Sequence, residues 1–214
     1  IRGALHRTVE LHCGGYLIFD QTEAMTVIDV NTGSFIGKRN QDDALLNTNL
    51  EAAEVLARQV RLRNLGGIII VDFINMEKSD HRRQVHDALK KFMQQDTVLS
   101  EIAAFSKLGL IEMSRKRTGD SLEGLLCEGC SVCHGRGVIK TAETVCYEIF
   151  RKVMSDARTG KNDKLILRVA DSVANRLLNE EATQFFDLQQ SVGKTISVQV
   201  ESGYSQEHFD LMPC

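Results

Sequence analysis

The sequence lacks the features that would place it in a membrane or make it disordered. No apolar run approaches the roughly 20 residues that cross a bilayer. No segment resembles a signal peptide, although the chain starts at Ile1 and its natural N-terminus is expected upstream. It has one proline, and we find no internal repeat or low-complexity tract. Because 43% of the 214 residues are hydrophobic and the net charge is only −3, disorder is not indicated.

The chain also lacks an excess of positive charge. Lys and Arg number 26 against 29 Asp and Glu, so binding of nucleic acid through bulk charge is excluded and local patches would have to provide it. Three of the six cysteines cluster at metal-ligand spacing, which favours a reducing compartment over a disulfide framework. The composition therefore predicts a cytoplasmic protein with no membrane partner.

Two short apolar strands, at 25–31 and 67–73, each carry one aspartate. A carboxylate in an Ile/Val run is costly unless something pairs with it. Asp29 and Asn31 share one strand face, and a helix between the strands can bring Asp72 to the same sheet edge. Two Asp with water and substrate phosphate suit Mg²⁺, which can polarise a phosphoryl oxygen and activate water. Either Asp alone is equally well explained as a cap or turn residue; the pair with Asn31 favours a metal site.

The periodicity predicts an α/β fold with a second, smaller unit. The predicted elements are strands at 14–20 and 25–31, a loop at 34–40, a helix from 41 to about 63, a strand at 67–73, a helix at 80–95, strands at 102–105 and 108–113, a helix at 142–156, a strand at 165–169, one or two helices within 172–188 and a strand at 195–200. The strand at 67–73 is apolar on both faces, which is typical of a strand covered on both sides.

Three cysteines, Cys127, Cys130 and Cys133, follow one another at the spacing of a tetrahedral soft-metal site, for which Zn²⁺ is the default. A closed site with His134 requires adjacent residues to bind together, which is sterically awkward. The alternatives are that two chains each give two thiolates to a shared zinc, or that the three are free thiols in a turn.

The basic triplet Arg115, Lys116 and Arg117 lies between the acidic strands and the cysteines. It can contact the phosphates of a nucleic acid without reading its sequence. On its own, such a basic cluster is better explained as a solvated helix face or turn, and of the basic clusters this triplet is the one that we select for phosphate contact.

Four stretches give the chain a resemblance to a known family: "GGYLIFDQTEAMTVIDVNTG", "NTNLEAAEVLARQVRLRNLGGIIIVDFINM", "GLIEMSRKR" and "CSVCHGRG". They resemble the ribonuclease E/G family in fixed order over essentially the whole chain. The resemblance implies a deoxyribonuclease I-like, mixed-sheet catalytic subdomain at 1–122, a zinc-link at 123–140 and a small α/β dimerisation domain at 141–214.

The resemblance also implies roles for the candidate residues. Asp29 and Asp72 would hold magnesium, and Asn31 would orient the attacking water or the scissile phosphate. Cys130 and Cys133 would share zinc between chains of a homodimer or higher oligomer, with Cys127 as an extra thiol. Asn75 stands where relatives commonly show Asp, so magnesium affinity is expected to be lower.

The function implied is Mg²⁺-dependent endonucleolytic cleavage of single-stranded RNA, leaving 5′-phosphate and 3′-hydroxyl ends, in ribosomal RNA maturation and messenger RNA decay. Nothing in the chain resembles the family's S1 or 5′-sensing regions, so this chain alone is expected to cleave weakly. Two alternatives stay open: a zinc-dependent assembly or RNA-binding module without catalysis, and a deoxyribonuclease or phosphatase.

Overall fold

Alternating apolar residues in the first 128 positions build a six-stranded mixed sheet. The computed structural model describes residues 2–33, 41–157 and 163–213, so the loop predicted at 34–40 lies outside the described residues. The chain divides into two compact units, residues 1–128 and 129–214. The elements of the first unit are a short 3-10 helix (Arg2–Leu5), β1 (Thr8–Glu10), β2 (Tyr16–Gln21), β3 (Met25–Asn31), α1 (Gln41–Leu62), β4 (Gly67–Asp72), α2 (Ser79–Met93), β5 (Ser100–Ile102), β6 (Leu110–Arg115) and α3 (Leu122–Leu126).

The sheet has the strand order β1-β2-β3-β4-β6-β5. β3 and β4 are parallel and α1 connects them, while the other neighbours are antiparallel. The apolar stripe predicted for α1 packs on the sheet together with that of α2. The residues of this core include Leu17, Ile28, Val30, Leu56, Val60, Ile69, Val71, Val85, Leu89, Ile111 and Met113. Burying such a face is the main stabilising term of the unit.

The opposite face of the sheet is open within the residues that the structure describes. Ile68 on β4 is 50% exposed and Met25 on β3 is 37% exposed. The prediction that β4 is covered on both sides is therefore wrong here, because α1 and α2 pack only against the face that carries Ile69 and Val71. The open face carries the other half of each strand's alternation.

The second unit is a smaller α/β arrangement. Its elements are α4 (Ala142–Ala157), β7 (Lys164–Val169), α5 (Asp171–Leu178), α6 (Ala182–Val192), β8 (Thr195–Val200) and β9 (Phe209–Pro213). The sheet order is β8-β7-β9, with β7 parallel to β8 and antiparallel to β9. The α/β class predicted for both units is confirmed, whereas the deoxyribonuclease I-like assignment and the boundaries of a zinc-link at 123–140 stay predictions.

Among the described residues, no helix is long and apolar enough to cross a membrane.

Candidate functional site

The two aspartates lie side by side on the open face of the first sheet. Asp29 and Asp72 are direct register partners in the parallel β3–β4 pair, near the carboxyl ends of both strands. Neighbouring strands are spaced at about 4.8 Å, so register partners on one face point their side chains the same way. Asp29 is partly buried and Asp72 is exposed. The structure thus brings together the two carboxylates that the sequence analysis singled out.

Asn31 completes the trio on the same face of β3. Its side-chain Nδ2 donates a hydrogen bond to Asp29 Oδ2 at 2.8 Å. Its register partner on β2 is Tyr16, and Asp29 faces Ile18 on the same strand. The Asn31 amide therefore fixes the rotation of the Asp29 carboxylate and leaves Oδ1 for another partner.

Electrostatics at this edge favour a cation. Although Asp72 is accessible, the surrounding protein removes part of the water around its carboxylate, and this partial desolvation, together with the neighbouring Asp29 carboxylate, raises the pKa of Asp72 above its ordinary value. A divalent cation held by Asp29 and Asp72 would favour the ionised form of Asp72, and hard oxygen donors are the ligands that Mg²⁺ prefers. Across the described ranges, no group of three or more His, Cys, Asp or Glu side chains is arranged to hold a metal. The donor set therefore fits Mg²⁺ only as an open site, in which water and substrate phosphate supply the remaining ligands.

Two glycines hold the end of β3 against the turn before β2. A Cβ at Gly15 would lie 2.6 Å from the backbone oxygen of Asn31, and a Cβ at Gly33 would lie 2.2 Å from the backbone oxygen of Gly14. Gly33 also has a left-handed backbone, with φ of 66°. Only glycine permits this close approach, which fixes the backbone on which Asn31 stands.

A buried asparagine on α1 holds the segment that follows Asp72, and the sequence analysis missed it. Asn49 is 0% exposed. Its Nδ2 donates to the backbone oxygen of Ile74 at 2.9 Å, and its Oδ1 accepts from the backbone N–H of Ile74 at 3.1 Å. The sequence does contain a signal for this role, because Asn49 stands next to Leu50 within the apolar stripe of α1. A polar side chain that is buried in this way needs a hydrogen-bond partner.

The basic triplet divides between the interior and the surface. Arg115 is 5% exposed. Its Nε donates to Asp96 Oδ2 at 2.7 Å and its Nη1 to the Leu65 backbone oxygen at 2.8 Å. The prediction that Arg115 binds RNA is therefore corrected, because its guanidinium forms buried hydrogen bonds within the first unit. Lys116 is exposed and Arg117 lies across Gly67, so their role in RNA binding stays a prediction.

Glu112 and His86 could also take part in acid–base or metal chemistry, but neither side chain lies beside the aspartate pair. Glu112 is exposed on the open face of β6, beside Ile70 rather than beside either aspartate. His86 contacts the backbone oxygen of Ala103 through Nε2 at 3.0 Å, which is a structural contact.

The cysteine cluster is divided between the two units. Cys127 belongs to the first and is exposed, whereas Cys130 and Cys133 belong to the second. The backbone N–H groups of Cys133 and Val132, and then the Cys133 side chain, lower the pKa of the Cys130 thiol. His134, with φ of 49°, closes the turn by donating its N–H to the Cys130 backbone oxygen at 2.9 Å. Two thiols on one tight turn fit half of a tetrahedral zinc site.

The turn is attached to its unit by Glu207. This carboxylate accepts hydrogen bonds from the Arg136 side chain and from the backbone N–H of Lys140, the latter at 2.5 Å. Gln206 adds a bond from Nε2 to the Lys140 backbone oxygen at 2.7 Å. The Lys140 N–H and then Arg136 hold the pKa of Glu207 below its usual range. These contacts fix the chain on the C-terminal side of the two cysteines.

The chain thus combines a mixed sheet that carries paired carboxylates on an open face with a second α/β unit that begins at a two-cysteine turn. Two family models match the chain: the ribonuclease E/G family over residues 1–118, and the RNase E/G thioredoxin-like domain over residues 129–213. The chain belongs to the ribonuclease E/G family.

Individual relatives agree with this assignment. The chain is 51% identical over 212 residues to ribonuclease G of Salmonella typhimurium and 50% identical over 212 residues to ribonuclease G of Escherichia coli; each match covers 99% of this chain and 43% of the relative. Ribonuclease E of Escherichia coli is 37% identical over 181 residues, which are 85% of this chain and 17% of the relative. The chain thus spans less than half the length of the curated relatives that it matches.

Proposed function

We propose that this chain carries the catalytic residues of an endoribonuclease that hydrolyses single-stranded RNA with Mg²⁺. The observation that carries the proposal is the register pairing of Asp29 with Asp72 on an open sheet face. The names of the relatives, ribonuclease G and ribonuclease E, indicate RNA as the substrate of those proteins. An open face suits a long polymeric substrate, since no closed pocket has to admit it.

The residues of the chain would bind the metal ion and orient the carboxylates that hold it. Asp29 and Asp72 would hold the magnesium, and Asn31 would keep the Asp29 carboxylate in one rotamer through its 2.8 Å bond. When bound, magnesium supplies Lewis-acid chemistry: it polarises a phosphoryl oxygen and makes water easier to deprotonate. Asp72 must be ionised to bind the cation, and its pKa is raised by partial desolvation and by Asp29. Activity should therefore rise with pH as Asp72 loses its proton.

Asn75 follows Asp72 by three residues and is exposed. It lies in the same cleft as Asp72. The family resemblance implies a carboxylate at this position, so the amide withholds one negative charge from the site. We expect a higher magnesium requirement from this substitution, because affinity for a hard cation follows the charge count of its ligands.

We also propose that zinc joins two copies of the chain. Each copy would give Cys130 and Cys133, and the lowered pKa of Cys130 favours the thiolate that zinc binds. Cys127 is a further thiol that one copy can offer. A homodimer is the smallest assembly that completes four ligands, and a higher oligomer can be built from such dimers.

The cellular role follows from the resemblance. We propose that the enzyme acts in the cytoplasm, in ribosomal RNA maturation and messenger RNA decay, and leaves 5′-phosphate and 3′-hydroxyl ends.

The test replaces each aspartate in the full-length protein and measures cleavage and RNA binding separately. Asp29→Asn and Asp72→Asn should each remove cleavage of a labelled single-stranded RNA and leave its binding within about twofold, because the carboxylates hold the metal rather than the strand. Glu101→Gln, an exposed carboxylate on β5, is the matched control and should cleave normally. Cleavage that survives in both aspartate variants would refute the proposal and favour an assembly or RNA-binding module. Equal cleavage of a DNA strand of the same sequence would favour a deoxyribonuclease.

A further inference from the structure

A cleft begins at Asp72 and extends away from the paired carboxylates. It has a volume of about 440 Å³ and lies between the segment after β4 and the turn before β6. Its polar lining includes Asn75, Arg82, Ser106 and Lys107. The tilted ring pair of Phe73 and Phe105, with centroids 6.0 Å apart, supports the two segments. The cleft is thus continuous with the proposed catalytic edge.

The turn that forms the second wall of the cleft, residues 106–109, is made rigid by its own hydrogen bonds. Ser106 Oγ accepts hydrogen bonds from the backbone N–H groups of Leu108 at 3.3 Å and Leu110 at 3.2 Å. The N–H of Gly109 donates to the Ser106 backbone oxygen at 3.0 Å, and Gly109 takes the left-handed backbone, with φ of 85°. Leu110 is the register partner of Asp72, so the turn is held directly beside the proposed metal site.

This rigid turn presents a cation and an apolar side chain to solvent. Lys107 is exposed, and no residue of the described ranges forms an ion pair with its ammonium group. Leu108 is 86% exposed. Leu108 is thus available for contact with a molecule that enters the cleft beside Lys107.

The second cation of the cleft is already committed to the backbone. Arg82 Nη1 donates to the backbone oxygens of Met76 at 2.5 Å and Glu77 at 3.3 Å, which fixes the segment after β4 to the start of α2. Arg82 therefore shapes one wall and adds positive charge. Lys107 is the cation that can move to a ligand, because its ammonium is a point charge on a flexible stem.

We propose that this cleft binds the nucleotide next to the scissile bond, with Lys107 as the positioning residue for its phosphate and Leu108 packing against its ribose or base. This inference rests on the proposed function, because the scissile phosphate is taken to lie at Asp29 and Asp72. A phosphate contact of this kind is independent of sequence and fixes the register of the strand relative to the metal site. The apolar contact of Leu108 tolerates any base, as stacking surfaces for single strands do.

The test is a titration of the ¹⁵N-labelled chain with a single-stranded RNA decamer in magnesium-free buffer at low salt, which detects even weak binding. The amides of Lys107, Leu108 and Gly109 should shift. Lys107→Gln should weaken binding about three- to fivefold, the scale of one exposed ionic contact, and lower the slope of log affinity against log salt by about 0.7. The matched control is Lys91→Gln, an exposed lysine near the end of α2, which should bind as the native chain does.

Either of two results would overturn the inference. The first is that RNA leaves the amide signals of residues 106–109 in place, whether or not other signals shift. The second is that the Lys107 and Lys91 variants bind the RNA with equal affinity. Failure of the proposed function is a separate outcome, seen as cleavage by the Asp29 and Asp72 variants. In the full-length enzyme, Lys107→Gln should raise KM and change kcat less, and Lys107→Arg should restore the native KM.

Discussion

The buried Asn49 side chain gives a direct test of how the fold positions Asp72. Asn49 contributes no atom to the paired carboxylates, yet its amide makes both of its hydrogen bonds to the backbone of Ile74, two residues beyond Asp72. The Asn49→Ala substitution removes both bonds and leaves the Ile74 N–H and oxygen without a protein partner. The strand end that carries Asp72 should then become more mobile.

The cost of this substitution follows from the two bonds. Each contributes about 1 kcal/mol net to folding. Alanine has a higher helix propensity than asparagine, which stabilises the variant by about 0.6 kcal/mol. The small cavity that the lost amide leaves costs a similar amount, so these two effects cancel. Ile74 is half-buried, so water can satisfy its backbone groups in part. The expected loss of unfolding free energy is about 2 kcal/mol.

The assay is urea unfolding combined with amide exchange at Ile74. Asn47→Ala is the matched control, because Asn47 lies on the same helix and is exposed. The Asn49 variant should be about 2.5 kcal/mol less stable than this control, because the control also gains the helix propensity of alanine, and its Ile74 amide should exchange faster. Magnesium-dependent cleavage by the full-length enzyme should fall more in the Asn49 variant than in the control. Stability within about 0.5 kcal/mol of the control, with unchanged Ile74 exchange, would refute the reasoning.

Three further predictions concern charge and metal. The folded state raises the pKa of Asp72, so folding is favoured while Asp72 is protonated. This contribution to the free energy of unfolding is lost as pH rises through the raised pKa. Asp72→Asn should therefore raise Tm at neutral pH without divalent ions, and Mg²⁺ should raise Tm of the native chain only. Arg115→Met should lower the free energy of unfolding by about 3–5 kcal/mol in urea titrations, because it leaves Asp96 buried without its cation; Lys116→Met, next to it on the surface, should cost little. Zinc analysis with native mass should give about half an equivalent per chain and a dimer that chelation dissociates; Cys130→Ser should give zinc-free monomers, whereas one zinc in an unchanged monomer would contradict sharing.

Much of the first unit was predictable because its patterns are local. The alternation of β3 placed Asp29 and Asn31 on one face, and the apolar stripe of α1 followed from the spacing of residues such as Leu46 and Leu50. The three-residue β1 was missed because it is too short to show an alternation, although it pairs with the neighbouring β2. The late strand β9 was missed because its pairing with the distant β7 defines it. The open face of the sheet was missed because Ile68 and Ile70 read as core residues in sequence.

The basic triplet could not be divided between the interior and the surface by charge alone. Arg115 was grouped with Lys116 and Arg117 by charge, but the alternation of β6 continues from Ile111 and Met113 to Arg115 and directs all three inward. Following that period to the end of the strand would have separated Arg115 from its neighbours. Its partner Asp96 lies 19 residues earlier, and only the tertiary structure could supply it.

In the proposed function, Asp29 and Asp72 together hold one divalent cation. The most direct measurement is a titration of the ¹⁵N-labelled chain with Mn²⁺, which broadens amide signals near its binding site, followed by competition with Mg²⁺. Amides around Asp29 and Asp72 should broaden first, and Mg²⁺ should restore their signals. Asp29→Asn or Asp72→Asn should remove the effect, while Glu101→Gln should keep it. Broadening centred elsewhere, or unchanged in the two aspartate variants, would show that the aspartate pair does not hold the cation.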